Sequence, residues 1–148
     1  MRFIGLAAVA AAIIFSAPAL AQSVADVNGR IDNVLGDHAQ YEAAITAFQQ
    51  AVVAGSREDV AAFVRYPIVV SVGGSKQTIR SAASFVKNYD AVMTADIVAA
   101  IENQKYQDLF VNDQGVMFGN GQAWLNGICL DKSCGQFVVK VVTLQHAQ

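Results

Sequence analysis

The alternation of apolar and polar residues between positions 24 and 101 has mostly the period of an α-helix. Apolar residues recur every three or four positions in five segments, and a residue type that often caps helices precedes most of them. The pattern predicts a short, frayed helix at 24–35, a long helix at 37–54 that Asp37 caps, and a helix at 56–66 that Ser56 caps and Pro67 ends. It also predicts two further helices, capped by Ser81 and Thr94, with a short connection at about residues 90–93 between them.

The remaining segments alternate with a period of two, which is typical of strands with one buried face. Residues 68–72 and 75–80 flank Gly73-Gly74, so they predict a tight hairpin whose paired residue numbers sum to 147. After Asp108 the period of two continues almost to the C-terminus, with a hairpin loop at 112–115. The pattern predicts strands at 109–111, 116–118, 122–129 and 136–144, and the fold class is therefore α+β.

The first 21 residues have the features of a secretory signal peptide. Arg2 precedes an apolar run from Phe3 to Phe15, and Ala19-Leu20-Ala21 offers small residues at the two positions that a signal peptidase reads. A membrane-spanning helix needs about 20 apolar residues, whereas Ser16 and Pro18 interrupt this run. The sequence therefore predicts export with cleavage after Ala21.

The remainder, about 127 residues, has the length of one domain. We expect a signal peptide at 1–21, a flexible or short-helical lead-in at 22–36 and a single domain at 37–146. Such a protein is periplasmic or secreted, and after cleavage it has no stable membrane anchor.

The charge of the chain argues against nucleic-acid binding. Ten basic and twelve acidic residues give a net charge of −2, and the basic residues are scattered along the chain instead of forming a stripe that follows phosphates. The two histidines, His38 and His146, lack the spacing of metal ligands. The sequence therefore indicates no metal, no cofactor and no nucleic-acid partner.

Cys129 and Cys134 are the only cysteines, and in an exported domain they predict a structural disulfide. Four residues separate them. If these residues close a hairpin, the two cysteines lie directly opposite each other and paired residue numbers sum to 263. This register places Gln122, Trp124, Asn126 and Phe137 on one strongly apolar face, which we expect the helices to cover.

The order of helix, helix, strand hairpin, helix pair and long antiparallel hairpins resembles the nuclear transport factor 2-like superfamily, which includes ketosteroid isomerase-like and SnoaL-like proteins. The resemblance covers roughly residues 37–144, and its most suggestive pieces are 63–72 and 115–124. It implies a curved antiparallel or mixed sheet packed on N-terminal and central helices to form a cone. Because members include enzymes, ligand binders and adaptors, it implies a pocket more than an activity.

Several residues are candidates for binding a ligand. Asn126 and Gln122 are amides on a predicted apolar face, where they would orient the polar group of a ligand, and Trp124 is a candidate aromatic platform. The alternative is that the amides satisfy backbone groups and that the tryptophan is a core residue. The predicted ligand-binding set is Trp124, Asn126, Gln122, Phe137 and Tyr66.

Catalysis has two weaker candidates, Asp90 and Tyr89, at the end of a predicted helix. A carboxylate beside an apolar cavity can have a raised pKa and act as a base. The alternative is a solvated or capping aspartate.

These patterns favour an exported domain that binds a small molecule or a protein partner in or on a cone-shaped apolar pocket without catalysing a reaction. One alternative is an isomerase, dehydratase or hydrolase of the ketosteroid isomerase-like type. Another is a structural or inhibitory envelope protein that forms a homodimer through its exposed sheet face.

Overall fold

A computed structural model of the chain describes residues 21–146 and shows a mixed α+β fold. All but the last residue of the predicted signal peptide lie outside this range. The six helices of the described range are α1 (Val24–Val34), α2 (His38–Val53), α3 (Arg57–Phe63), α4 (Ala82–Lys87), α5 (Tyr89–Val92) and α6 (Ala95–Glu102), and Tyr106–Asp108 forms a 3-10 turn. The strands are β1 (Ile68–Val72), β2 (Ser75–Ile79), β3 (Phe110–Asn112), β4 (Gly115–Phe118), β5 (Ala123–Cys129) and β6 (Phe137–Leu144).

Within residues 21–146, no helix combines the length and the apolar character needed to cross a membrane.

Helix α1 is firmly capped, although the sequence predicts a frayed helix. The Ser23 hydroxyl accepts a hydrogen bond from the Asp26 backbone N–H, and the Asp26 carboxylate accepts one from the Ser23 backbone N–H at 2.8 Å. This reciprocal arrangement satisfies two donors that a helix start otherwise leaves free. Val27 and Ile31 on the opposite face are fully buried. The lead-in segment is therefore part of the hydrophobic core.

The predicted helix caps are confirmed at some positions and wrong at others. Asp37 and Ser81 accept hydrogen bonds from backbone N–H groups at the starts of α2 and α4. Ser56 and Thr94 do not cap the backbone, because their hydroxyls donate instead to the carboxylates of Asp59 and Asp96.

Two helix boundaries differ from the prediction. Helix α3 ends at Phe63 instead of continuing to residue 66, because Val64 forms a parallel bridge with Val141 and the Arg65 N–H donates to the Val141 carbonyl at 2.9 Å. Residues 90–93, predicted as a connection, lie mostly in the short helix α5.

The strands form two antiparallel sheets. In the smaller sheet, β1 and β2 pair from Ile68 with Ile79 to Val72 with Ser75, which confirms the predicted sum of 147. The larger sheet has the strand order β3-β4-β5-β6. Its inner face packs on the helices in one continuous core, to which it contributes Val111, Val116, Phe118, Ala123, Leu125, Val139, Val141 and Leu144.

The predicted register between β5 and β6 is wrong. Leu125 pairs with Val141 and Cys129 with Phe137, so paired numbers sum to 266, and a bulge beside Leu125 shifts Trp124 to pair with Thr143. A shift by an odd number of residues moves every side chain to the opposite face. Consequently Trp124 faces away from the helices, and Phe137 lies on the other side of the sheet from it.

The cysteines form the predicted disulfide, but it joins the end of β5 to the β5–β6 loop instead of linking two opposite strand positions. The loop comprises residues 130–136, and the Cα atoms of Cys129 and Cys134 lie 4.7 Å apart. The Asp131 carboxylate accepts hydrogen bonds from the Ser133 hydroxyl and from the N–H groups of Ser133, Gly135 and Gln136. The loop is therefore longer than the four residues predicted, and its own hydrogen bonds order it.

Gly127 allows β5 to lie close to Tyr41 of α2 and to Phe137 of β6. Its N–H donates to the Tyr41 hydroxyl at 2.7 Å, and a Cβ atom here would lie 2.9 Å from Cδ2 of Phe137 and 3.0 Å from the Tyr41 oxygen. The rings of Tyr41 and Phe137 pack with centroids 5.8 Å apart. This contact holds the part of the β5–β6 hairpin next to its loop against α2.

We expect Gly127→Ala to lower the free energy of unfolding by about 1–3 kcal/mol, because an overpacked site must displace Phe137 or Tyr41. Gly29→Ala in α1 is the matched control. Its Cβ would meet nothing within 4 Å, so the helix should gain up to about 1 kcal/mol. Urea unfolding of both variants checks this, and equal effects at the two glycines would contradict the close approach at Gly127.

The hydrogen bonds of the Asp131 carboxylate predict that the stability of the β5–β6 loop depends on pH. Hydrogen bonds from the Ser133 hydroxyl and the Gly135 N–H hold the pKa of Asp131 below its ordinary value of 3.8. A lowered pKa in the folded state means that these bonds stabilise the loop fully above pH 3.8 and are lost as the pH falls through the lower value. The amide resonances of Gly135 and Gln136 should report this transition in NMR spectra.

In Asp131→Asn the same resonances should show no transition with that midpoint. A midpoint at or above pH 3.8 in the wild-type protein would contradict the hydrogen-bonded loop.

Candidate functional site

An apolar row crosses the larger sheet on the face turned away from the helices. The strand registers align Phe110 with Met117, Met117 with Trp124, and Trp124 with Thr143. We call these four residues the outer row. Each comes from a different strand, so the row spans the full width of the sheet.

The outer row is only partly covered. Phe110 remains 48% exposed, and Met117 and Trp124 are half-buried. The rings of Phe110 and Trp124 meet edge to face, with centroids 6.3 Å apart and planes at 87°. Among the described residues, neither Trp124 nor Met117 belongs to the core or packs against it. An aromatic pair of this kind usually stabilises a core or an interface.

A second apolar pair lies on the same face of β5 and β6, separated from the outer row by the polar pair of Asn126 and Lys140. Ile128 pairs with Val138, which is 37% exposed. Between this pair and the outer row lies Lys140, whose Nζ donates to the Ala62 carbonyl at 2.6 Å, at the C-terminal end of α3. The ammonium group of Lys140 therefore points toward α3 at the edge of the sheet and away from the outer row.

Both polar atoms of the Asn126 side-chain amide have hydrogen-bond partners within the fold. Its Oδ1 accepts from the Tyr41 hydroxyl at 3.0 Å and lies 2.8 Å from the Gly127 N–H, while its Nδ2 donates to the Gln114 carbonyl at 3.1 Å. Burial raises the pKa of Tyr41, so the phenol stays protonated as a donor. This network fastens β5 to α2 and to the β3–β4 turn.

The other predicted ligand-binding residues are also engaged within the fold. The Gln122 side chain is buried, and its Oε1 accepts from the Asn120 N–H at 2.6 Å. The Tyr66 hydroxyl donates to the Ala61 carbonyl at 2.9 Å, and burial raises the pKa of Tyr66 to about 12. Phe137 packs against Tyr41 on the inner side of the sheet. Of the predicted set, Trp124 alone lies in the outer row.

Tyr89 and Asp90 lie in α5, where they contact Arg57 of α3. The Asp90 carboxylate is 78% exposed and accepts from the Arg57 guanidinium at 2.8 Å, while that guanidinium also lies 5.2 Å from the centre of the Tyr89 ring. Burial raises the pKa of Tyr89. The Asp90 carboxylate is therefore solvated and paired with arginine, and it does not lie beside an apolar cavity as the predicted catalytic role requires.

The predicted site residues do not converge on one cavity. Four open depressions of about 270–460 Å³ lie on the surface of the described range. Three border α2, and the fourth separates β1 from β6. None of the seven predicted ligand-binding and catalytic residues lines these four depressions.

One exposed cluster contains groups that commonly bind metals. The carboxylates of Asp32 and Asp37 and the His38 ring lie within 4.8 Å of one another. Each has a role in the local fold, because Asp37 caps α2 and Asp32 accepts from both the N–H and the ring of His38. These hydrogen bonds account for the cluster without an ion.

Comparison of the chain with protein-family models, with curated proteins and with solved structures finds no match. The interpretation of the chain therefore depends on its own residues.

Sequence reasoning missed Phe110 and Met117. The signal was present in the alternation of 109–111 and 116–118 around the loop at 112–115, which places Phe110 opposite Met117. Extending that register to β5 would have placed both residues on the face of Trp124. The wrong β5–β6 register concealed this, because it assigned the Trp124 face to the helices.

Proposed function

We propose that the protein is an exported, non-catalytic domain that binds a protein partner through the outer row. The observation that carries the proposal is the outer row itself, whose residues on β3, β4 and β5 form an aromatic and thioether surface that the described helices leave partly uncovered. Aromatic residues and methionine are enriched in protein interfaces.

A protein partner is favoured over a small molecule by the shape of this surface. Small-molecule sites are concave and bury most of the ligand, whereas the outer row lies on a sheet face. Its aromatic residues and Met117 line none of the four depressions, and Thr143 alone borders the fourth. Trp124 lies next to the exposed Phe110 ring. A large aromatic residue in the middle of an interface often contributes much of the binding energy.

A homodimer is a second candidate for the same surface. Two copies related by a two-fold axis would place one outer row on the other, and each row is apolar and has no charged member. Twisted sheet faces of equal curvature pack well against each other at about 10 Å.

We also propose that the protein is exported and that it belongs to the nuclear transport factor 2-like superfamily. The ordered, disulfide-closed loop is consistent with an oxidising compartment. Membership of the nuclear transport factor 2-like superfamily, with its cone-shaped sheet, is supported by the element order of helices, strand hairpin, helices and four-stranded sheet.

Photo-crosslinking in the producing cells tests the binding surface. With p-benzoylphenylalanine at position 110, we expect an adduct of defined mass, and Trp124→Ala should reduce its yield several-fold because it removes the ring beside the probe. The matched control carries the probe at position 34, since Val34 in α1 is as exposed as Phe110 and lies outside both sheets.

An adduct twice the mass of the chain would identify the homodimer, and any other single mass would identify a different partner. Equal labelling at positions 34 and 110, or none at 110, would contradict a binding surface at the outer row.

Export has its own test. Fractionation of the producing cells should place the protein outside the cytoplasm, and mass spectrometry should find Gln22 as its first residue. A cytoplasmic protein that retains residues 1–21 would contradict the export proposal.

A further inference from the structure

The disulfide lies in an exposed part of the described chain. Every residue from Cys129 to Gln136 is exposed, and none of them belongs to the hydrophobic core or packs against it. Solvent and small solutes therefore reach both cysteines. The bond does not tie a separate helix or strand to the core, as a structural disulfide commonly does.

The ring that the disulfide closes is small. Cys129 and Cys134 are five positions apart. On the loop-entropy model the stabilisation by a disulfide grows with the logarithm of the number of residues in the ring, so a ring of this size contributes little. The β5–β6 ladder also pairs Cys129 with Phe137 through the backbone. The fold therefore depends only weakly on the bond between the sulfurs.

The loop around the disulfide has hydrogen bonds that do not involve sulfur. The Asp131 carboxylate holds the backbone on both sides of Cys134, because it accepts from the N–H groups of Ser133, Gly135 and Gln136. The backbone ladder also continues into the loop, where the Gln136 carbonyl accepts a hydrogen bond of 2.8 Å. After reduction these bonds would keep the two thiols near each other, which favours re-formation of the disulfide.

Cys134 has an unusual backbone conformation. Its φ is 56°, and among residues 21–146 it is the one non-glycine residue with a positive φ. This left-handed region is unfavourable for a residue with a Cβ atom, and such residues are common at functional sites. Reduction removes one of the constraints that hold Cys134 in this conformation. The strain therefore favours the reduced dithiol over the disulfide.

We propose that Cys129 and Cys134 form a redox site that exchanges reversibly with a small-molecule thiol while the protein stays folded. Exposed or strained disulfides are the ones that thiols reduce readily, whereas structural disulfides of secreted proteins resist reduction by glutathione. The exposed position, the small ring and the strained Cys134 backbone place this disulfide in the first group. The hydrogen bonds of Asp131 make the exchange reversible.

The exchange consists of two substitutions at sulfur. The thiolate of the incoming thiol forms a bond to Sγ of Cys134, the bond between the two cysteines breaks, and the Cys129 sulfur leaves as a thiolate. A second thiolate then attacks the external sulfur of this mixed disulfide and releases Cys134. The two cysteines take up the protons that the two thiols lost. The protein disulfide gains two electrons, and the thiols are oxidised to one external disulfide.

Redox titration of the full protein with glutathione tests this proposal. The protein is equilibrated in buffers of graded reduced-to-oxidised glutathione ratio and alkylated with N-ethylmaleimide, and mass spectrometry counts the modified cysteines. We expect the disulfide to be half reduced within the range of these ratios, and excess oxidised glutathione should restore it. A structural disulfide would stay oxidised at every ratio.

NMR spectra of the reduced protein show whether the fold persists. Changes in amide shifts should be confined to the neighbourhood of residues 129–137, because these residues contain the disulfide and its loop. The amides of α2 and of the smaller sheet should keep the shifts that they have in the oxidised protein.

Two variants test the role of the loop. Asp131→Ala should slow re-formation of the disulfide about tenfold, because the reduced loop no longer holds the thiols near each other. Asp113→Ala is the matched control. It removes an exposed carboxylate from the β3–β4 turn, at a different hairpin, and it should re-form the disulfide at the rate of the unsubstituted protein.

A disulfide that stays oxidised in glutathione until the protein unfolds would overturn the proposal. So would a reduction that itself unfolds the protein. Both results come from the unsubstituted protein, so they remain decisive if a variant fails to fold. Equal rates of re-formation in Asp131→Ala and Asp113→Ala would contradict the part of the proposal that rests on Asp131.

Discussion

The pairing of β5 with β6 decides which side chains of the larger sheet meet the helices. In the observed register, Leu125, Val139 and Val141 are buried and Trp124 is turned outward. The contact between Gly127, Tyr41 and Phe137 holds this register against α2, and the ordered loop around Asp131 supplies the seven residues that it requires. Moving the register by one residue would exchange the two faces of these strands.

The proposed binding surface at the outer row follows from this arrangement. The outer row exists because the bulge and the register align Trp124 with Met117 on one side and Thr143 on the other.

Local patterns predicted most of the secondary structure, whereas contacts between distant residues decided the site. The Gly73-Gly74 turn and the Asp37 cap depend on neighbours in the sequence, and both were confirmed. The spacing of Cys129 and Cys134 predicted their disulfide, but spacing alone does not distinguish a clasp across a ladder from a closure within a loop. The packing of Gly127 against Tyr41, 86 positions away, determines the register, and no local pattern reports it.

The register is tested most directly by nuclear Overhauser contacts between the backbones of β5 and β6. The structure predicts cross-strand contacts of Trp124 with Thr143, of Gly127 with Val139 and of Cys129 with Phe137. Contacts of Trp124 with Val139 and of Asn126 with Phe137 would instead show the register in which the cysteines lie opposite each other. That result would place Trp124 beneath the helices and contradict the outer row.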